Sequence, residues 1–455
     1  MNESIPDLSA NTSSAGSHPQ LKREVGVLGA TMMGLGSIIG TGIFVSIGIA
    51  AGVAGPAFIL SIAVAALVAA CNGLSSAQLA ANHPVSGGTY EYGYRWLHPS
   101  LGFIAGWMFL CAKTASAATA ALGFSGYVLH ALGQNESTWL VPLALGVVTV
   151  VTVLVLSGIR RSSISNIAIV SVTLISLIYY VIAGLPSALA SGTTHLTPFF
   201  SPLSDTASPV SGFLQSCALM FVAYTGYGRI ATLSEEVYEP RRTIPRAIIV
   251  TLLASMGLYL AVGWVSMASV GVDRLAAAGT SNAAPLEVIA RQFDAPYASL
   301  VVAAGAVTAM FGVLLNLVLG LSRVVLAMGR RRDIPSFFAR VTLLEATPYP
   351  AVILVSVLIA ALVLTGNIKT TWSFSAFTVL IYYAITNLAA IRLTEDERLY
   401  PRWISWLGLL SCLFLAFWVE LRIWLVGLAL ITGGVAWHWV AAQLKRRTAE
   451  RDGTI

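Results

Sequence analysis

"GLGSIIGTGIF", Gly34 to Phe44, lies inside an apolar stretch long enough to cross a membrane, yet four of its eleven residues are glycine. A glycine in a helix interior costs roughly 0.5 to 1 kcal/mol relative to alanine, so this run marks either a break in the helix or a face that another helix approaches closely. Gly36 and Gly40 have the i, i+4 spacing of small residues at membrane-helix contacts. Packing alone would explain them.

Composition settles the solvent. Of the 455 residues 56% are apolar and only 10% charged, where a soluble globular chain would carry about 25% charge. A helix needs about 20 apolar residues to cross the hydrocarbon, and on that basis twelve segments are predicted to span. They are 25–50, 56–80, 101–131, 139–157, 164–187, 211–235, 246–270, 297–328, 349–366, 370–391, 403–420 and 422–443. Residues 1–20 are polar and rich in Ser, with no basic start leading into an apolar run and cleavage site; they read as a disordered tail without a signal peptide.

Taking the amino terminus as cytoplasmic puts nineteen of the 26 basic residues on that side, from Lys22 and Arg23 through Arg241, Arg242 and Arg246 to Lys445 and Arg446. The opposite side then holds only Arg274, Arg291, Lys369 and Arg422, a bias that puts both termini inside a cell membrane. The net charge of +6 follows from this bias, and no aromatic-interleaved basic patch points to nucleic acid. Cys71, Cys111, Cys217 and Cys412 fall within spans at unrelated depths and read as packing residues. The six histidines are scattered over tails, loops and span ends, which disfavours a membrane-embedded transferase; a channel is disfavoured because no span repeats a ring-forming charged motif.

The glycines acquire meaning from the sixth span, which is interrupted at the same depth by "AYTGYG", Ala223 to Gly228. Five spans separate the two breaks. Because five is odd, spans 1 to 5 and 6 to 10 form an inverted repeat, with spans 11 and 12 appended, and matched breaks in the two halves point to a midplane binding site. Freed N–H groups at the start of a half-helix suit a carboxylate, and freed carbonyls suit an ammonium. A substrate carrying both groups is an amino acid. The chain thus divides into a cytoplasmic tail 1–20, a first repeat 21–190, a second 191–395, helices 11 and 12 over 396–443 and a second cytoplasmic tail 444–455.

Four stretches, in order along the chain, resemble the amino acid-polyamine-organocation superfamily of permeases. They are "GSIIGTGIF" (Gly36 to Phe44), "PVSGGTYEYGYRWLHPSLGFIAGW" (Pro84 to Trp107), "FVAYTGYGRIATLSEEVYEPRRTIPRAI" (Phe221 to Ile248) and "SRVVLAMGRRRDIPSFF" (Ser322 to Phe338), the third nearest to the cationic amino acid transporter branch and its bacterial relatives. The resemblance implies an all-α integral membrane protein of twelve transmembrane helices, a LeuT-type 5+5 inverted repeat with helices 1 and 6 discontinuous, acting as a secondary amino acid transporter without a cofactor. It also implies substrate contacts. The carboxylate would meet N–H groups around Thr41 and Gly42, with Ile38, Ile39 and Gly40 forming the break. The ammonium would meet carbonyls among Phe221, Val222 and Ala223, beside a side-chain pocket of Tyr224, Thr225 and Gly226.

Departures from the pattern bear on substrate and coupling. The fifth span follows "GIRRSSISN" and places Thr173 where many relatives carry a lysine; the third span has Cys111, Ala112 and Lys113 where the cationic branch commonly has Leu-Glu-Tyr. Twelve residues into its span, Lys113 has its Cα about 18 Å from the membrane edge, near the centre of ~30 Å of hydrocarbon, and it must face the pathway. A cation there disfavours Arg or Lys as substrate and favours neutral α-amino acids. All twenty acidic residues read as lying in loops, tails or span ends, and Thr308 stands nearly alone as a hydroxyl in the eighth span. A sodium site is therefore poorly supported, and Lys113 is either a fixed charge or the titrating group of a proton symporter.

Overall fold

The computed structural model describes residues 25–83, 87–134, 137–158, 163–191, 194–203, 208–232, 237–281, 284–341 and 347–451. The amino-terminal tail 1–20, the basic Lys22, Arg23, Arg160 and Arg161, and the acidic Glu235 and Glu236 lie outside them. Eighteen α-helices follow in order among the described residues. They are α1 (Val27–Ile38), α2 (Thr41–Phe44), α3 (Ser46–Ala54), α4 (Phe58–Asn82), α5 (Thr89–Trp96), α6 (Pro99–Ala131), α7 (Leu140–Leu156), α8 (Ser163–Ala190) and α9 (Pro209–Tyr224), then α10 (Gly228–Thr232), α11 (Pro240–Val270), α12 (Val272–Ser281), α13 (Pro285–Ala290), α14 (Ala298–Arg330), α15 (Tyr349–Val363), α16 (Ile368–Ile391), α17 (Arg402–Ala416) and α18 (Leu421–Arg451). The sole β pairing among the described residues is an isolated bridge between Val25 and Val237.

Among the described residues, each apolar segment read from the sequence falls mainly on helix. Seven helical stretches among them are long and apolar enough to cross a membrane: Ser46–Asn82, Pro99–Ala131, Ser165–Ala190, Pro240–Val270, Ala298–Arg330, Ile368–Ile391 and Leu421–Ala441. Four shorter apolar helices accompany them: Val27–Ile38, Leu140–Leu156, Tyr349–Val363 and Arg402–Ala416. The last helix runs on to Arg451, past the expected start of the tail, because "QLKRRTAER" consists largely of strong helix formers.

Helix α6 lies in the middle of the bundle, against α14, α16, α15 and α7. Its residues explain this: ten of the twelve residues from Ala112 to Gly123 are small or hydroxylic, all but Lys113 and Leu122, and all twelve are buried, so neighbours approach closely and Ser and Thr hydroxyls are satisfied across the contact. Ser116 Oγ lies 2.8 Å from Ser375 Oγ, and Thr119 Oγ1 donates to Thr371 Oγ1 at 2.8 Å.

Three short helices, α5, α12 and α13, fall outside the apolar segments and correct the placement of acidic residues. Glu287 on α13 is 1% exposed. Its carboxylate lies against the His130 ring and accepts from Arg291 Nε at 2.8 Å, while Arg291 Nη2 donates to the His130 carbonyl at 2.6 Å. The sequence puts this residue in a loop; it is buried because α12 and α13 fold back on the bundle. Gly48 of α3 and Gly279 of α12 meet backbone to backbone. The Leu286 N–H donates to Tyr127 Oη at 3.3 Å, and that hydroxyl donates to the Phe44 carbonyl at 2.7 Å.

At the other end of α6, Asp333 is equally buried, accepting from the hydroxyls of Tyr90 and Tyr94 on α5, each at 2.6 Å. Arg331 pairs with Glu91 and lies 4.4 Å from the Tyr94 ring centroid. Burial first, then the bonds to Asp333, push both phenols far above their ordinary range, so they remain donors. Burial also raises the Glu91 carboxyl, against the pull of Arg331. Trp437 on α18 closes the cluster, donating to the Asp333 carbonyl at 2.9 Å.

Candidate substrate site at the two helix interruptions

Both breaks expected from the glycines are present, and they differ in kind. In the first span α1 ends at Ile38; Ile39 is extended (ψ 103°), Gly40 lies outside the helical region (ψ −122°), and α2 begins at Thr41. The start of a helix leaves its first N–H groups without intrahelical partners, and no side chain caps Gly40, Thr41 or Gly42. Thr41 Oγ1 is buried with no hydrogen-bond partner among the described residues. In the sixth span the chain tightens instead of unwinding: α9 passes into a 3₁₀ turn over Thr225–Tyr227 and then into α10.

The four glycines of the opening stretch each face a different element. A Cβ on Gly34 would lie 2.6 Å from Ile230 Cδ1 of α10, one on Gly36 2.6 Å from Val170 Cγ2 of α8, and one on Gly40 2.7 Å from Val313 Cγ2 of α14. On Gly42 it would lie 2.7 Å from Ala223 Cβ and 2.8 Å from Ala223 Cα on α9. Gly226 returns the contact, its α-carbon abutting the Ser37 carbonyl and the Ile38 nitrogen. The two interruptions therefore lie backbone against backbone.

The expected carbonyls are close together but partly engaged. Val222 O accepts from Thr225 Oγ1 at 2.8 Å. Tyr259 of α11 donates to Ile38 O at 2.8 Å and approaches Ala223 O at 3.3 Å, so one hydroxyl serves a carbonyl at each break. Lys113 is buried, and its Nζ donates to Thr225 Oγ1 at 3.0 Å, bringing the third span to the sixth-span turn. Around them stand aromatic rings: Tyr224 against Tyr259 (5.2 Å between centroids), and Phe221 and Tyr227 against Tyr383 (5.8 and 5.5 Å). Tyr224 Oη is buried with no hydrogen-bond partner among the described residues. Thus Ile38, Ile39, Gly40, Thr41, Gly42, Lys113 and Phe221 to Gly226 are gathered in one place.

Sequence reasoning missed Tyr259 and Tyr383, whose only signal is a phenol deep in an otherwise apolar span. Thr173, at the position of the relatives' lysine, donates to Ile169 O of its own helix at 2.8 Å. Thr308 likewise donates to Ala304 O at 2.7 Å, and α14 presents Val313 and Ala309 to Gly40. Arg229 lies near Gly320 of α14, and Arg323 is exposed.

Tyr259→Phe is expected to lower the melting temperature of the purified protein, because Ile38 O loses its donor while remaining buried, a cost of about 1–3 kcal/mol. An unchanged melting temperature would show that the bridge carries no stability.

Residues 29–443 match the sequence model of the family described as amino acid permease. An uncharacterized transporter of Mycobacterium tuberculosis is 40% identical over 95% of this chain and 94% of its own. The branched-chain amino acid permease BcaP of Bacillus subtilis is 29% identical over 94% of both chains. Human cationic amino acid transporter 4 is 29% identical over 83% of this chain and 61% of its own.

Proposed function

Because this chain belongs to the amino acid permease family, a family of multi-pass membrane transporters and not of enzymes, we propose that it carries neutral α-amino acids across a cell membrane by alternating access. The reading includes twelve spans, the 5+5 inverted repeat with two added helices, and both termini in the cytoplasm. The substrate carboxylate docks at the Thr41 and Gly42 N–H groups, where the helix dipole favours an anion. The ammonium docks at carbonyls among Phe221, Val222 and Ala223, just before the sixth-span turn, and the side chain lies among Tyr224, Thr225 and Gly226.

One observation carries the choice of a neutral substrate: the Lys113 ammonium lies 3.0 Å from Thr225 Oγ1, inside the region assigned to the substrate side chain. A cationic side chain would meet like charge in a low-dielectric site. The branched-chain permease, similar over 94% of both chains, supports an uncharged side chain. Thr308, whose hydroxyl is turned to Ala304 O of its own helix, supports a mechanism without sodium.

Uptake of labelled amino acids into proteoliposomes, with each of the twenty as competitor, tests this. Saturable uptake inhibited by neutral amino acids and unaffected by arginine or lysine is expected. Arginine as the best competitor would overturn the substrate assignment, and unsaturable flux would overturn the transporter mechanism in favour of a channel.

A further inference from the structure

Helices α4 and α11 pack against each other and leave an apolar groove along the outside of the bundle. Its walls are Ala66, Leu67, Ala70 and Leu74 on one side and Ile249, Leu253 and Met256 on the other. The floor is made by Ile248 and Leu252, which press against Gly73: a Cβ there would lie 2.9 Å from Ile248 Cγ2. Ile249 and Leu253 are exposed at the rim, so the groove opens where lipid must lie.

The α11 wall continues beyond the groove as a charged stripe. Residues 242, 246, 249, 253 and 256 follow one another at spacings of three and four and share one helix face. That face therefore reads, from the start of the helix inward, Arg242, Arg246, Ile249, Leu253, Met256. Both arginines are exposed. Arg246 makes no ion pair among the described residues, and Arg242 lies 3.5 Å from Glu239, the neighbouring carboxylate, itself exposed. Arg241, by contrast, is turned to Asn82 Oδ1 at 3.0 Å.

Depth fits the same picture. From Arg246 to Met256 is ten residues, about 15 Å along the axis, which is half of ~30 Å of hydrocarbon. Tyr259, one turn further, touches the backbone at both helix interruptions, the features assigned to the midplane. Arg246 then sits at the headgroup boundary and the groove runs from there to the bilayer centre.

We propose that this seam is a binding site for one anionic phospholipid of the cytoplasmic leaflet, its phosphate held by Arg246 and Arg242 and one acyl chain lying in the groove between α4 and α11. The proposal rests on the orientation given above and is independent of which amino acid is carried. Apolar lining selects a chain, and the two guanidiniums select a negative headgroup. Bound there, the acyl chain lies along the seam between α4 and the helix that carries Tyr259.

The test uses the full chain in phosphatidylcholine vesicles containing a trace of lipid with a photoactivatable group midway along one acyl chain, as either phosphatidylglycerol or phosphatidylcholine. Labelled peptides are mapped by mass spectrometry. Phosphatidylglycerol should label residues 66–74 and 249–256 roughly tenfold more than phosphatidylcholine, the preference expected of two arginines at an anionic headgroup, one of them shared with Glu239. Labelling of the exposed face of α17 should show a smaller preference and serves as the internal reference. Arg242→Gln with Arg246→Gln should reduce the preference in the groove to that of the reference. Ala70→Phe should reduce groove labelling by both lipids with the arginines intact. Equal labelling of the groove by the two lipids in the wild type, or a preference that survives loss of both arginines, would overturn the proposal.

Discussion

Replacing Lys113 with glutamine is expected to lower transport by on the order of a hundredfold at every pH, since a buried hydrogen bond from a charged group contributes about 1.5–3 kcal/mol. Lys113 forms no ion pair among the described residues. Its hydrogen-bond acceptor is a hydroxyl, Thr225 Oγ1, whose own hydrogen is directed to Val222 O. An ammonium has three donors, so two remain to hydrogen-bond polar groups that enter beside Thr225. Glutamine keeps a donor and much of the length but removes the charge. Transport measured across a pH series separates the two roles open to this side chain. Loss at every pH is the outcome of a fixed charge. Retained rate with loss of pH dependence would make it the proton carrier, and an unaltered rate and profile would remove it from the mechanism.

Gly42 should tolerate nothing larger than hydrogen. A leucine there, considered from the sequence alone, would fill the space where the carboxylate docks and leave the fold intact. The structure changes that expectation, because the space beside Gly42 is occupied by Ala223, and even a methyl group would approach its Cα to 2.8 Å. Overpacking of this kind costs about 1–3 kcal/mol per site and more where only backbone can yield. Gly42→Ala should therefore lower both melting temperature and transport, and Gly42→Leu should separate the first and sixth spans and abolish transport. The companion substitution Ala223→Gly, made in the Gly42→Ala protein, removes the nearest clashing atom and should restore part of both losses, a coupling that independent sites would not show. Full activity of Gly42→Ala would sink the close-contact account.

The helical character of the chain, its membrane setting and the burial of Lys113 were all legible because each depends on composition along one segment: length against bilayer thickness, charge against hydrocarbon. The two interruptions were legible for the same reason, as local clusters of residues that weaken a helix. Glu287 and Asp333 were not. Their burial depends on α12 and α13 folding back over one end of the bundle and on α5 docking Tyr90 and Tyr94 at the other, and no local pattern distinguishes a loop that folds back from one that stays in water.

Tyr259 was hidden likewise: a phenol in mid-span is ordinary until its hydroxyl is seen to reach Ile38 O and Ala223 O together. The opening glycines show the division most clearly. Their sequence established that the first span would break or be closely approached, because missing side chains remove both helix propensity and bulk. Tertiary structure decided that both occur, and that Gly34, Gly36, Gly40 and Gly42 face α10, α8, α14 and α9 in turn. Spacing along one helix gives the direction in which each glycine points, whereas the identity of the neighbour in that direction is set by how all the other helices pack.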